Sequence, residues 1–189
     1  MAQGKIIVVS APSGSGKSTI INSILEEGCF DMDFSVSATN RNPRPGEVDH
    51  VQYHFLSTEE FRNAIESNQF IEWEEVYPGR YYGTLRSEID RMLRHGQNVI
   101  LDIDVRGALN VKKLYGDTAC LIFIEPPSIQ ELRRRLESRG TDDLERINTR
   151  INRAEYELSL APRFDARVVN EDLDRAIAET KAVIAKHLD

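Results

Sequence analysis

Apolar residues follow two rhythms along this chain. Residues 5–10 (Lys-Ile-Ile-Val-Val-Ser) are β-branched, bounded by Gly4 and a Pro/Gly-rich turn, and predict a strand buried on both faces, as in a parallel sheet. The same signature returns at residues 98–103 and 118–124, and briefly at Val168-Val169. Between these runs the spacing turns helical. Ile20, Ile21, Ile24 and Leu25 predict a helix from about residue 17, ended by Gly28. Ser57-x-x-Glu60 is a capping box with Phe61, Ala64 and Ile65 as the buried stripe behind it, and Ser128-x-x-Glu131 is a second one. Leu85, Ile89, Met92 and Leu93 predict a helix over 84–95 that Gly96 stops. Thr141 or Asp142 is expected to cap a helix carrying Leu144, Ile147, Ile151 and Leu158 and ending by Pro162, and residues 173–187 form the closing helix. Helices alternating with apolar strands predict an α/β fold with a parallel sheet. Residues 30–56 break the helical rhythm and, with Pro43 and Pro45, read as an extended loop; Trp73, beside Glu72, reads as buried, and the stretch 34–96 breaks the alternation and reads as an insertion.

Composition narrows the class. A chain of 189 residues, 40% hydrophobic, has enough apolar surface for a core and rules out wholesale disorder. Its 24 Lys+Arg against 31 Asp+Glu give a net charge of −7, which argues against coating nucleic acid but not against holding one small anion in a local pocket. No apolar run is long enough to span a bilayer, and Met1-Ala2-Gln3-Gly4-Lys5 does not read as a signal peptide. Cys29 and Cys120 make no metal-ligand spacing and read as reduced thiols, so a cytoplasmic location is expected, with no membrane partner. Oligomeric state, homo-oligomer included, is not legible. Of the 24 basic residues 18 are Arg, and seven of these (133, 134, 135, 139, 146, 150 and 153) fall between Glu131 and Glu155. Two readings stay open: guanidinium forks that grip phosphate, or a solvated helix pair laced by the six acidic residues of the same window.

Chemistry begins after the first strand. Ala11-Pro12-Ser13-Gly14-Ser15-Gly16-Lys17-Ser18-Thr19 matches the end of the phosphate-loop pattern G-x-x-x-x-G-K-[ST], with Ala11 in the first Gly position. Gly14 and Gly16 let successive N–H groups turn inward as an anion nest, and the helix start adds partial positive charge. Lys17 supplies an ammonium for the β- and γ-phosphates, and the Ser18 hydroxyl can ligate Mg²⁺. Asp102, ending the second apolar strand, is the natural carboxylate near that ion, with Asp104 just beyond; a pair of helix caps is the plainer alternative. Ala11 is tolerable if its φ is negative.

Further segments resemble the guanylate kinase family. They are Thr39-Asn40-Arg41-Asn42-Pro43-Arg44-Pro45-Gly46-Glu47, Tyr53-His54-Phe55, Phe70-Ile71-Glu72-Trp73, Tyr81-Tyr82-Gly83-Thr84, Ile100-Leu101-Asp102-Ile103-Asp104, Arg135-x-x-x-Arg139-Gly-Thr and Val169-Asn170-x-Asp172-Leu173. The resemblance runs over essentially the whole chain in order, with two departures: Asn40 where Ser, Thr or Met is usual, and His50 where Gly or Ala is usual. It implies a P-loop NTPase-type three-layer core (1–33, 97–127 and 156–189), a GMP-binding insertion (34–96) and a helical lid region (128–155). It also implies Mg²⁺-dependent phosphoryl transfer from ATP to GMP. On that resemblance Arg41, Arg44, Tyr53 and Tyr82 hold the GMP phosphate, Ser37, Glu72 and Thr84 read guanine, and Glu47 and Asp104 orient the arginines. Residues 11–19 with Asn170 bind ATP, while Lys17, Arg135, Arg139 and Arg150 serve catalysis.

The residues fit those roles physically. Two arginines and two phenols make a dianion site, and a carboxylate suits the adjacent N1–H and N2–H donors of guanine. Plainer readings remain: an aromatic cluster for the tyrosines and a surface position for Glu72. Two other functions stay open, a kinase of the same build acting on another phosphorylated acceptor and a non-catalytic scaffolding module that binds phosphopeptides. The intact Gly16-Lys17-Ser18 weighs against the second.

Overall fold

The computed structural model describes residues 3–138, 140 and 143–189, so Arg139, Thr141 and Asp142 lie outside the described residues. Along the chain the elements are β1 (Ile6–Ser10), α1 (Lys17–Glu26), β2 (Met32–Phe34), β3 (Ala38–Thr39), β4 (His54–Phe55), α2 (Thr58–Glu66), β5 (Phe70–Tyr77), β6 (Arg80–Leu85), α3 (Arg86–Arg94), β7 (Asn98–Asp102), α4 (Val105–Tyr115), β8 (Ala119–Glu125), α5 (Ile129–Ser138), α6 (Leu144–Leu160), β9 (Ala166–Val169) and α7 (Leu173–Leu188). The chain divides into two compact units, one of Met1–Lys5 and Met32–Leu101 and the other of Ile6–Asp31 and Asp102–Asp189.

In the second unit β1, β8 and β9 run parallel, β8 central, with Ile6 level with Ala119 and Ile122 level with Ala166. Every residue of β1 and β8 is buried, as a parallel strand covered on both faces requires. The predicted strands and the α/β class are borne out. Helix α1 buries Ile20, Ile21 and Ile24 as its spacing demands. Helices α5 and α6 share a separate apolar seam of Leu132, Leu136, Ile147, Ile151 and Ala154. Helix α6 is capped by Asp143, whose carboxylate accepts from the Arg146 amide at 2.8 Å. That cap makes Leu144 the first helical residue and leaves it 71% exposed, so it is not part of the buried stripe. Ser128 accepts from the Glu131 amide at 3.0 Å, but the Glu131 carboxylate turns to Arg134 and Arg135, so only half of the second capping box forms.

The first unit holds a four-stranded sheet in the order β4-β3-β6-β5, together with a parallel β2–β7 pair. The expected loop over 30–56 therefore contains three strands of two or three residues each. Strand β6 extends through Leu85, which pairs with Phe70, so the helix expected from residue 84 starts at Arg86. The Ser57/Glu60 capping box is complete. Behind it the fully buried Phe61 stacks between Phe70 and Tyr81, with ring centroids 4.4 and 5.5 Å away, and Ala38 and Ala64 close the cluster. Trp73 is not in this core: it is 46% exposed and stands edge-on to Tyr81.

Candidate active site

The phosphate loop is built where β1 delivers the chain to α1. Gly14 and Gly16 sit at φ +99° and +90°, the left-handed conformation that a side chain resists, and Gly16 is the residue from which α1 starts. Ala11 is not among the non-glycine residues at positive φ, which are His50 and Asn68 among the described residues. The Ser15 amide donates to the Pro12 carbonyl at 3.1 Å and closes the turn. Buried Asn170 donates its side-chain amide to the Ser15 carbonyl at 2.7 Å, so it braces the loop from behind. It also stands where a Cβ on Gly16 would go. A Cβ on Gly14 would meet Leu136 and Leu132 of α5 at 3.0 and 3.1 Å, so that helix lies against the loop.

At the head of α1 the Lys17 ammonium forms an ion pair with Asp102, the last residue of β7. Ser18 and Thr19 are exposed. Asp104 caps α4, accepting from the Gly107 amide at 2.8 Å, and its second oxygen lies 3.7 Å from Arg153. Arg153 in turn donates to Glu157 at 2.8 Å. Burial raises Glu157 above the ordinary carboxylate value against the opposing pull of Arg153. Arg153 is one of the seven arginines of the marked stretch, whereas Glu157 did not stand out in the sequence, although their i, i+4 spacing on α6 is a readable pair.

The arginine-rich stretch separates into two kinds of residue. Arg133 and Arg134 serve the helices themselves, through Glu137 and Asn148 for the first and Glu131 for the second. Arg135 and Arg150 point to the loop. Arg150 donates to the Ser13 hydroxyl at 2.6 Å, and Arg135 bonds the Asn170 carbonyl at 3.0 Å while Glu131 holds it at 2.8 Å. Arg134 first and Arg135 second hold the Glu131 carboxyl down to about 2.

The other unit carries a polar sheet face. Residues directly opposite in a ladder project to one side, so the Thr39–Tyr82, Tyr82–Glu74 and Thr84–Glu72 pairs share a face while Tyr81 and Ala38 turn to the core. Buried Thr84 donates its hydroxyl to Glu72 Oε1 at 2.6 Å. Arg41 grips Glu47 with both arms, at 2.6 and 2.7 Å, and its guanidinium lies 5.0 Å from the Tyr53 ring centre and 5.5 Å from that of Phe55. The Tyr53 and Tyr82 rings meet edge-on at 5.8 Å. Glu47 is held down to about 2 by Arg41 and then by the Arg44 amide, which donates to it at 2.7 Å. The same carboxylate raises Arg41, with Tyr82 adding a smaller contribution. The Arg44 side chain is exposed, and Ser37 is half-buried with its carbonyl accepting from the His54 amide at 2.9 Å. One cationic fork, two phenols and a carboxylate–hydroxyl pair thus occupy one surface of one unit.

Comparison with known proteins decides the family. A family model described as guanylate kinase matches residues 3–187. The chain belongs to the guanylate kinase family. It is 55% identical over 186 residues to a guanylate kinase of Bacteroides thetaiotaomicron, covering 98% of this chain and 91% of the relative. It is 51% identical over 184 residues to one of Porphyromonas gingivalis, covering 97% and 98%. The crystal structure of a guanylate kinase from Anaplasma phagocytophilum superposes with a TM-score of 0.70 at 30% identity, over all of this chain and 88% of that one. Among the described residues no helix is long and apolar enough to cross a membrane, and no group of three or more His, Cys, Asp or Glu is arranged to hold a metal ion.

Proposed function

We propose that this guanylate kinase family member transfers the γ-phosphoryl group of ATP to GMP, giving ADP and GDP. The observation that carries the acceptor is the Thr84–Glu72 pair on the sheet face that also bears Tyr82. A carboxylate already oriented by a hydroxyl offers its remaining lone pairs to the adjacent N1–H and N2–H donors of guanine. With the Thr84 proton committed to Glu72, the Ser37 hydroxyl is the donor left to serve O6. Arg41, Arg44, Tyr53 and Tyr82 hold the monophosphate dianion, and Glu47 keeps the Arg41 fork rigid between substrates. Residues 34–96 then form the GMP-binding insertion and 128–155 the lid region, on a core of 1–33, 97–127 and 156–189.

Phosphoryl transfer needs positioning and charge neutralisation more than a covalent catalyst. The acceptor is a phosphate oxygen, already a competent nucleophile, so no general base is required. Residues 11–19 cradle the triphosphate with Asn170 bracing the loop, and Lys17 neutralises the transferring group. Arg135 and Arg150, which touch the loop surroundings, complete the charge screen, together with Arg139. Mg²⁺ ordinarily keeps several waters and takes only one or two protein oxygens beside those of the phosphates. The exposed Ser18 hydroxyl and the Asp102 carboxylate fit that requirement, and three clustered carboxylates are not needed. Held there, Mg²⁺ would supply charge neutralisation for the phosphate oxygens. The location we propose is cytoplasmic, in keeping with two free cysteines, of which Cys120 is buried. The test is ADP release with ATP and GMP, AMP, UMP or CMP in turn. GMP should exceed AMP in kcat/KM by at least about 10³-fold, as sites that leave polar groups unpaired achieve. Comparable rates with AMP would refute the acceptor assignment.

A further inference from the structure

His50 adopts φ +63°, a left-handed conformation uncommon outside glycine, with asparagine, aspartate and histidine the residues most often found there. Its ring is engaged on both sides. His50 Nδ1 lies 2.7 Å from His54 Nδ1, with the rings edge to face at 4.8 Å, and His50 Nε2 lies 3.3 Å from Asp49 Oδ2. Two nitrogens at that distance hold one proton between them, so one ring donates and the other accepts. His54 Nε2 is buried without a hydrogen bond and has Glu88 Oε2 at 3.8 Å, which favours a proton there. On these partners His54 Nδ1 is assigned as the acceptor and His50 Nδ1–H as the donor. His54 cannot take a second proton, on Nδ1, without setting N–H against N–H.

The pair closes the turn that carries Tyr53. The His50 amide donates to the Tyr53 carbonyl at 2.9 Å, and Asp49 Oδ1 accepts from the amides of His50 and Phe55 at 3.0 and 2.9 Å. We propose that the His50–His54 pair is a positioning device that holds Tyr53 in place for the GMP phosphate and releases it when His54 takes a second proton. The proposal rests on the reading of Tyr53 as a phosphate ligand. The charged groups around the pair are Asp49, Glu88 and Arg91, the last bonded to Glu88 at 2.8 and 3.0 Å. Burial lowers His54 below its ordinary 6.5; Glu88 opposes this, and the charges of His50 and Arg91 add to it. The closed turn therefore binds the second proton less readily than an open one. Its contribution is complete above pH of about 6.5 and fades as pH falls through the lowered value.

The experiment compares wild type with His50→Gly, His50→Asn and Tyr53→Phe, measuring GMP affinity by calorimetry and KM against kcat from pH 5.5 to 8. GMP titrates in the same window, with a second phosphate pKa near about 6, so each variant is read as a ratio to wild type at the same pH. Glycine suits the backbone and removes only the ring. His50→Gly should raise KM for GMP about three- to tenfold at pH 8, the worth of one hydrogen bond, with kcat nearly unchanged, and the ratio should fall toward one at pH 5.5. Asparagine tolerates the same backbone and carries an amide nitrogen where histidine carries Nδ1, so His50→Asn should restore most of the affinity at pH 8. A ratio of one at pH 8, or one that does not change with pH, overturns the proposal. If Tyr53→Phe binds GMP like wild type, the phosphate-ligand reading fails and the proposal with it; if Tyr53→Phe weakens binding and His50→Gly does not, the positioning role alone fails.

Discussion

Glu72→Gln is the sharpest probe of base recognition, because the geometry of β5 and β6 fixes how the variant side chain must turn. Thr84 donates to Glu72 Oε1 at 2.6 Å, from the position directly opposite in the ladder. In the variant the amide oxygen is the group that can keep that donor, so the NH₂ is directed to the base. Guanine presents donors there. Two bonds to a charged acceptor, each worth about 1.5–3 kcal/mol net, are lost. The sum, about 3–6 kcal/mol, is roughly 10²- to 10⁴-fold in kcat/KM for GMP. AMP should gain in relative terms, since adenine N1 is an acceptor and would now meet a donor. Coupled ADP release with both nucleotides measures this, with thermal melting to show that the fold is kept. A Glu72→Gln enzyme with wild-type GMP kinetics and unchanged rejection of AMP would sink the assignment.

Lys17→Ala should lower kcat at least about 10²-fold, the usual scale for removing one preorganised charge from a transition state, while the melting temperature barely moves; more than about a tenth of wild-type turnover would refute the phosphate-loop role. Its ion pair with Asp102 is partly exposed and should be worth at most about 1 kcal/mol to the fold. Arg150→Ala removes the 2.6 Å contact to Ser13 and should lower kcat far more than it raises KM for GMP. Unchanged steady-state kinetics would return Arg150 to the plainer reading as a solvated helical face. Phe61→Ala should cost about 3–5 kcal/mol in denaturant unfolding, because the ring is fully buried between Phe70 and Tyr81; a loss below about 1 kcal/mol would mean that the cluster can collapse around the gap.

What could be read from the sequence follows from how locally each feature is determined. Strands β1 and β8 announce themselves because burial on both faces demands an unbroken apolar run. The phosphate loop is equally plain, since its left-handed turns need glycine at Gly14 and Gly16 whatever surrounds them. Strands β2, β3 and β4 are too short for a period to emerge, and their partners supply the definition: Thr39 is a strand residue because Tyr82 and Phe55 lie beside it. Leu85 has a helical spacing yet belongs to β6, because pairing with Phe70 outweighs local preference. Leu144 fails for a smaller reason, a cap displaced to Asp143. The arginines show the same division, since composition marks the stretch, but only a contact to Ser13, 137 residues away, separates Arg150 from Arg134, which serves its own helix. The two departures from the family pattern are the limiting case. Asn40 bonds Thr58, Gly79 and the Tyr81 amide at 2.7–2.8 Å, and His50 bonds His54 from a left-handed backbone conformation. Each unusual residue brings its own hydrogen-bond partners into the turns around the polar sheet face, so each turn is fixed by contacts that no local rhythm announces.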